Sequence, residues 1–139
     1  MRHVLVPLDG SEQAEAALDY ALDLFPDARF SLLAVIDPAA GFSGTGAPGT
    51  SEVWYRNARE EASDRLTAGR ERVDADGHAV ATHVETGRPA RVITQFAEEH
   101  GVDHVVVGSH GREGVSRLLI GSVAEAVVRR SPVPVTVVR

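Results

Sequence analysis

Short apolar runs alternate with amphipathic helical patterns along the whole of this chain. Most of the runs are dense in Val, Leu and Ile rather than alternating with polar residues, which is typical of strands buried on both faces of a parallel sheet. Helical spacing of apolar residues follows Ser11, Glu52, Pro89 and Gly121. The order βαβαβαβαβ predicts an α/β fold, a single open parallel sheet with helices on both faces. The predicted strands are residues 3–8, 28–37, 78–86, 102–108 and 133–138.

Composition limits the classes of protein to which the chain can belong. Its 139 residues suit one domain, and the absence of Cys excludes disulfides and thiolate metal sites. No apolar run approaches the ~18 to 20 residues of a membrane-spanning helix, and the N-terminus lacks a signal-peptide pattern. A net charge of −6 argues against a nucleic-acid or anionic-membrane partner. We therefore expect one cytoplasmic domain covering residues 1–139.

A spaced set of glycines follows the fourth predicted strand. Gly108, Gly111, Gly121 and Ser122 form the pattern G-x2-G-x9-G-S. A strand that ends at glycine lets the backbone turn and approach a ligand, because no Cβ intervenes. The helix expected after Gly121 presents free N–H groups and a positive dipole end, which attract phosphate. The pattern predicts an anion cradle, and it differs from both the Walker A and the G-x-G-x-x-G fingerprints.

Each part of this cradle also has an explanation that needs no ligand. Ser122 and Glu125 form S-x-x-E, a capping box that any well-made helix can carry. Gly111 can be an ordinary loop glycine, and Arg112 a solvated loop charge. Asp9 falls between the first strand and a helix capped by Ser11, where ligands bind in open α/β sheets, but it can equally be a turn-forming aspartate.

Other segments carry weaker functional signals. Residues 38–52 are rich in Gly, Pro, Ser and Thr without periodicity, which predicts a flexible loop that is either a lid or an insertion. Trp54 lies on the apolar stripe of the next helix, so we expect it in the core rather than stacked on a base. The six His residues show no H-x-x-H or H-E-x-x-H pairing, and no G-x-S-x-G elbow occurs. We assign no metal ligand and no catalytic residue.

Two long segments carry a resemblance to a known family. HVLVPLDGSEQAEAALDYAL and HVVVGSHGREGVSRLLIGSVAEAVVRRSPVPVTVV, with the order of elements between them, resemble the universal stress protein family over nearly the whole chain. The resemblance implies a Rossmann-like five-stranded parallel sheet in the order 3-2-1-4-5. One branch of that family carries G-x2-G-x9-G-[ST] and binds ATP, and this sequence resembles that branch.

The resemblance also implies a nucleotide site. It places the motif glycines, Ser122 and Val123 around the ribose and phosphates, Asp9 of the P-x-D position near adenine and ribose, and Val35 beside adenine. Mg²⁺ or Mn²⁺ bridges the phosphates in some members of the family. The last strand, residues 133–138, is expected to pair with its twin across a homodimer axis. The full implied set is Pro7, Leu8, Asp9, Val35, Gly108, Ser109, Gly111, Arg112, Gly121, Ser122 and Val123.

Three functions remain open at this point. The favoured one is a dimeric ATP-binding switch or sensor in the stress response, acting through a protein partner that the sequence does not name. The second is a slow ATPase or phosphotransferase using the same cradle. Against turnover, the chain has no lysine, and only Asp9, His110 and Arg112 are available to assist it. The third is a nucleotide-free structural stress dimer, which requires the motif glycines to be accidental.

Overall fold

The computed structural model describes residues 1–41, 50–109 and 120–139. The strands of these residues form one parallel sheet in the order β3-β2-β1-β4-β5. Fold class and strand order therefore confirm the prediction. In chain order the elements are β1 (His3–Pro7), α1 (Glu12–Leu24), β2 (Arg29–Ile36), α2 (Pro38–Gly41), α3 (Thr50–Ala75), β3 (Val80–Thr86), α4 (Pro89–Glu99), β4 (His104–Gly108), α5 (Ser122–Arg130) and β5 (Val135–Val138).

Side chains that alternate along the central strands divide the core into two layers. In β1, Val4 and Val6 face α1 and α3, whereas Leu5 faces α4 and α5. All three are fully buried. Burying a Val or Leu side chain contributes roughly 1.5–3 kcal/mol, so the doubly covered β1 supplies a large share of the core energy. This is why the run reads as continuously apolar rather than alternating.

Helix α1 begins as its sequence predicts. Ser11 is its N-cap, and the Ser11 Oγ accepts a hydrogen bond from the Ala14 N–H at 3.1 Å. The helix ends where the Phe25 N–H donates to the Ala21 carbonyl at 2.9 Å, just before Pro26. Its buried face is made of small and branched residues that fit closely against the sheet: Ala14, Ala17, Leu18, Ala21 and Leu22.

The described residues of the predicted loop at 38–52 are helical at both ends. Pro38–Gly41 forms the short helix α2, because the Asp37 carboxylate accepts from the Ala39 N–H at 2.9 Å and Pro38 suits a first helical position. Helix α3 begins at Thr50, two residues earlier than expected from Glu52. The rest of the predicted loop, residues 42–49, lies outside the described residues.

The apolar stripe of α3 reaches the core only from Ala62 onward. Ala62, Leu66 and Val73 are buried against the sheet, whereas Trp54 is half-buried. The expectation that Trp54 belongs to the core is therefore only partly met. Its helix starts beyond the carboxyl edge of the sheet, where the Tyr55 hydroxyl lies 2.9 Å from Thr86 Oγ1 at the end of β3. No helix within the described ranges is both long and apolar enough to span a bilayer.

All five strands are shorter than predicted, and the differences at β1 and β5 have a local reason. β1 ends at Pro7, although the Leu8 N–H still donates to the Leu33 carbonyl at 2.8 Å. β5 begins at Val135 rather than at residue 133, since Pro134 has no N–H to give to the ladder. The Pro134 carbonyl still accepts from the Val105 N–H at 3.0 Å. β2, β3 and β4 also begin one or two residues later than predicted, and β2 ends one residue earlier, but the sheet order is unchanged.

Candidate functional site

A cleft lies at the carboxyl edge of the sheet, between the ends of β1 and β4. The two strands are neighbours, but α1 packs on one face of the sheet and α5 on the other. This divergence makes the topological switch point of an open α/β sheet, the place where such folds bind ligands. The cleft has a volume of about 210 Å³. Seven of the residues that the sequence assigned to a nucleotide site line it: Pro7, Leu8, Asp9, Val35, Gly108, Ser122 and Val123.

Asp9 sits at the exposed mouth of the cleft, in the turn between β1 and α1. Its Oδ1 accepts hydrogen bonds from the Ser11 N–H at 2.9 Å and from the Ser11 hydroxyl at 2.5 Å. The turn-forming explanation is thus confirmed, and it is compatible with a ligand because Asp9 also lines the cleft. Gly10 completes the turn at φ +87°, a conformation that favours glycine.

Glycine is required at position 108 for a structural reason that does not involve a ligand. A Cβ built on Gly108 would lie 2.4 Å from the Gln13 carbonyl carbon and 2.6 Å from the Ala14 nitrogen. These are backbone atoms of the first turn of α1, so no rotamer change can make room. Glycine at the end of β4 therefore lets α1 approach the sheet, and this approach brings Ala14 into the wall of the cleft.

A hydrogen bond between Ser109 and Gly121 links the end of β4 to the start of α5. The Ser109 N–H donates to the Val138 carbonyl of β5 at 2.7 Å, and Ser109 Oγ accepts from the Gly121 N–H at 2.9 Å. Both residues are buried. Neither residue lines the cleft, so their contribution is to hold the start of α5 against the end of β4.

The capping box that was the alternative explanation for Ser122 and Glu125 is not formed. Gly121 is the N-cap at φ −59° and ψ 153°, and Ser122 is the first residue of α5. Glu125 instead pairs with Arg129 at 2.8 Å. The box fails because the cap position is one residue earlier, where glycine has no side chain to offer. Ser122 and Val123 are consequently exposed at the mouth of the cleft, with Val123 38% accessible.

Helix α4 forms a wall of the cleft that sequence reasoning missed. Pro89 opens this helix directly after β3, and Ile93 lies one turn further along. The sequence did contain a signal for Pro89: a helix that begins directly after a strand starts at the carboxyl edge of the sheet, where the cleft lies. The lining residues that the sequence did not single out are Ala14, Leu33, Pro89, Ile93, Val107 and Ala124.

Val35 forms part of the opposite wall. It lies on β2 beyond Leu33, the residue that pairs with the last residue of β1. β2 continues along β3, where Val35 pairs with Glu85. The ends of the neighbouring strands are therefore staggered, and this stagger opens the space beside Val35. Most of the cleft lining is aliphatic, with the Asp9 carboxylate and Ser122 hydroxyl as its polar groups.

Two of the predicted site residues, Gly111 and Arg112, lie outside the described residues, as does His110. Their assignment stays a prediction. Over the described ranges no group of three or more His, Asp or Glu side chains is close enough to hold a metal ion. The site that the structure does describe is an apolar slot with one carboxylate, next to the N-terminus of a helix of nine residues.

The strand order and the cleft at the switch point define a doubly wound α/β protein. The model of the universal stress protein family matches residues 1–139. The universal stress protein MJ0531 of Methanocaldococcus jannaschii is 31% identical over 140 residues, covering 99% of this chain and 82% of that protein. The chain therefore belongs to the universal stress protein family.

Solved structures share the fold over nearly the whole chain. The structure of MJ0577, also from M. jannaschii, superposes with a TM-score of 0.87 at 30% identity, covering 99% of this chain and 94% of that one. An Arabidopsis thaliana family member with AMP bound gives a TM-score of 0.74 at 19% identity, covering 99% and 91%. A universal stress protein in complex with cAMP gives 0.75 at 24%, covering 99% and 97%. At these two lower identities the likeness concerns the fold.

Proposed function

We propose that this protein binds ATP in the cleft between β1 and β4 and acts as a nucleotide-dependent switch or sensor in a stress response. The observation that carries the proposal is the meeting of seven sequence-assigned residues around one cleft at the switch point of the sheet. The AMP and cAMP named for two related folds support an adenine nucleotide as the ligand class.

The size and lining of the cleft suggest which part of the nucleotide it takes. Its volume of about 210 Å³ is below the roughly 300–1,000 Å³ of pockets that enclose a whole drug-sized ligand. The aliphatic walls at Leu33, Val35 and Ile93 suit a purine ring, whose faces are apolar. The ribose then lies at the mouth near Asp9, and the phosphates lie near the start of α5, where backbone N–H groups and the helix dipole favour negative charge. Mg²⁺ or Mn²⁺ would accompany the phosphates rather than occupy a site of the protein alone.

Calorimetric titration of the nucleotide-stripped full chain with ATP and Mg²⁺ tests this proposal. We expect one site per chain with a micromolar dissociation constant, about −8 kcal/mol. Gly121→Val should abolish the heat, because a branched side chain at this buried N-cap displaces the start of α5, whose backbone N–H groups are proposed to hold the phosphates. Asp27→Ala, in the turn after α1 and far from the carboxyl edge, is the control and should bind as the parent does. If the parent chain gives no heat and the purified protein contains no nucleotide, the proposal fails and the nucleotide-free structural dimer is favoured.

A phosphate-release assay on the same samples separates binding from turnover. We expect no steady release, because the described cleft offers no cation or base beyond Asp9, which is already engaged by Ser11. Steady release that is lost in Gly121→Val would favour the ATPase.

We also propose that the protein is a cytoplasmic homodimer that joins through β5. Within the described residues, β5 lies at the edge of the sheet and pairs only with β4. An apolar edge strand, VTVV, exposes a row of N–H and C=O groups that a second copy can pair. Sedimentation equilibrium of the full chain should give twice the monomer mass, and a monomer at all micromolar concentrations would contradict the proposal.

A further inference from the structure

Arg65 reaches the turn between β1 and α1 from α3, the helix that shares one face of the sheet with α1. It lies on α3, in the turn before the buried Leu66, and is itself half-buried. Its Nη1 donates to the Leu8 carbonyl at 3.3 Å. Leu8 follows the last residue of β1, so this carbonyl lies at the start of the turn that carries Asp9.

The same guanidinium also lies against Gly10. A Cβ built on Gly10 would stand 3.2 Å from both Nε and Nη2 of Arg65. The Arg65 side chain therefore contacts the residues on both sides of Asp9. Together with φ +87° at Gly10, this close approach explains why glycine is needed at that position.

We propose that Arg65 is a positioning residue that holds the β1 to α1 turn so that the Asp9 carboxylate faces the cleft. The inference rests on the proposed nucleotide site and adds a residue to it that touches neither the cleft nor the ligand. A planar guanidinium can brace two points of a turn at once, because its donors form a rigid fork. A lysine ammonium can satisfy the Leu8 carbonyl but cannot lie flat along Gly10.

A double-mutant cycle between Arg65 and Asp9 tests the positioning. Arg65→Ala should weaken ATP binding about fivefold when Asp9 is present and leave it nearly unchanged in an Asp9→Ala background, since residues that act through one another are not additive. Arg65→Lys should restore part of the affinity. Arg70→Ala, an exposed substitution on the same helix, is the matched control and should leave ATP affinity unchanged.

A second measurement is independent of the nucleotide. The Ser11 N–H donates to Asp9 Oδ1, so its hydrogen-exchange rate reports on the order of the turn. Arg65→Ala should speed exchange at Ser11 without changing exchange in β4, and Arg70→Ala should change neither. Arg65→Gln serves in the same assays if the alanine variant does not fold.

The outcomes separate the inference from the proposed function. If the parent chain binds no ATP but Ser11 exchange rises in Arg65→Ala, the brace is present and the nucleotide proposal fails. If the parent chain binds ATP and Arg65→Ala alters neither affinity nor Ser11 exchange, the inference is wrong and the nucleotide proposal stands. An equal loss of affinity with and without Asp9 would make Arg65 a purely structural residue and would also overturn the inference.

Discussion

The hydroxyl of Ser109 accepts a hydrogen bond from the backbone N–H of Gly121 at 2.9 Å, across a sequence separation of 12 residues. This bond links the end of β4 to the N-cap of α5. The two residues therefore serve the site by fixing where α5 begins, whereas Ser122, the next residue, is placed at the cleft.

Replacing Ser109 and Ser122 separately should distinguish a residue that stabilises the fold around the site from one that contacts the nucleotide. Ser109→Ala leaves the buried Gly121 N–H without its acceptor, which costs about 1–3 kcal/mol of unfolding free energy. Ser122→Ala removes an exposed hydroxyl and should change stability by less than about 0.5 kcal/mol while weakening ATP binding. Urea unfolding and calorimetry on both variants check this. Equal loss of stability in the two variants would contradict the distinction.

Alanine at Gly108 should be poorly tolerated. Its Cβ would meet the Gln13 and Ala14 backbone at 2.4 to 2.6 Å, so α1 must shift away from β4. We expect a loss of about 3 kcal/mol or more, at the upper end of the overpacking range. The matched test is Gly108→Ala with Gln13→Ala, since the clash is with main-chain atoms. Recovery of stability in that double variant, measured by urea unfolding, would show that the side chain of Gln13 was the obstacle instead.

Gly69 presents a milder version of the same geometry. A Cβ there would lie 2.8 Å from Leu8 Cδ1 and 3.0 Å from Leu32 Cδ1, both ends of side chains rather than backbone. Gly69→Ala gains about 1 kcal/mol of helix propensity and loses about 1–3 kcal/mol to overpacking, for a small net destabilisation. Because Leu8 lines the cleft, ATP affinity should fall as well. Combining the substitution with Leu8→Val should restore stability in thermal unfolding, and failure to do so would point to Leu32.

Acidification should destabilise the protein through its histidines. Burial lowers the pKa values of His3, His83 and His104 below their usual value near 6.5, and the neighbouring His100 adds to the effect at His83. Between the folded and unfolded pKa values the unfolded chain binds more protons, so unfolding free energy is greatest above pH 6.5 and falls as pH drops through the lowered values.

Urea unfolding at pH 7.5 and pH 5.5 measures this dependence. His83→Gln should flatten it, because the His83 ring lies 5.6 Å from that of His100 and 4.7 Å from that of Phe96 in the folded state. Asp27→Ala changes an exposed charge on another part of the molecule and should leave the slope nearly as it is. A midpoint that rises on acidification would have the wrong sign and refute the burial argument.

The sequence alone determined the elements and their class. Doubly buried strands such as β1 must be continuously apolar, and Ser11 caps α1 through bonds within four residues, so both can be read locally. The resemblance to the universal stress protein family supplied the strand order. The resemblance also implied the seven assigned residues that line the cleft, and their meeting agrees with the rule that carboxyl ends of parallel strands share an edge.

Local patterns predicted the starts of helices less reliably, because neighbouring residues can compete for the N-cap position. Ser122 and Glu125 have the spacing of a capping box, yet the N-cap lies one position earlier, at Gly121, and Ser122 is already the first helical residue. Pro38 and the residues after it have loop composition, yet Asp37 caps them into a short helix. In both cases the residue that takes the N-cap position decided between two structures that the composition allows.

Only the tertiary structure decided which distant residues surround and support the site. The approach of α1 to Gly108, the wall from Pro89 and Ile93, and the brace from Arg65 to Leu8 all join segments far apart in the chain. Such contacts depend on how far each helix slides and tilts on the sheet, which is set by the packing of whole side chains. Periodicity reports which face of a helix is buried, but it does not specify the residue that the buried face meets.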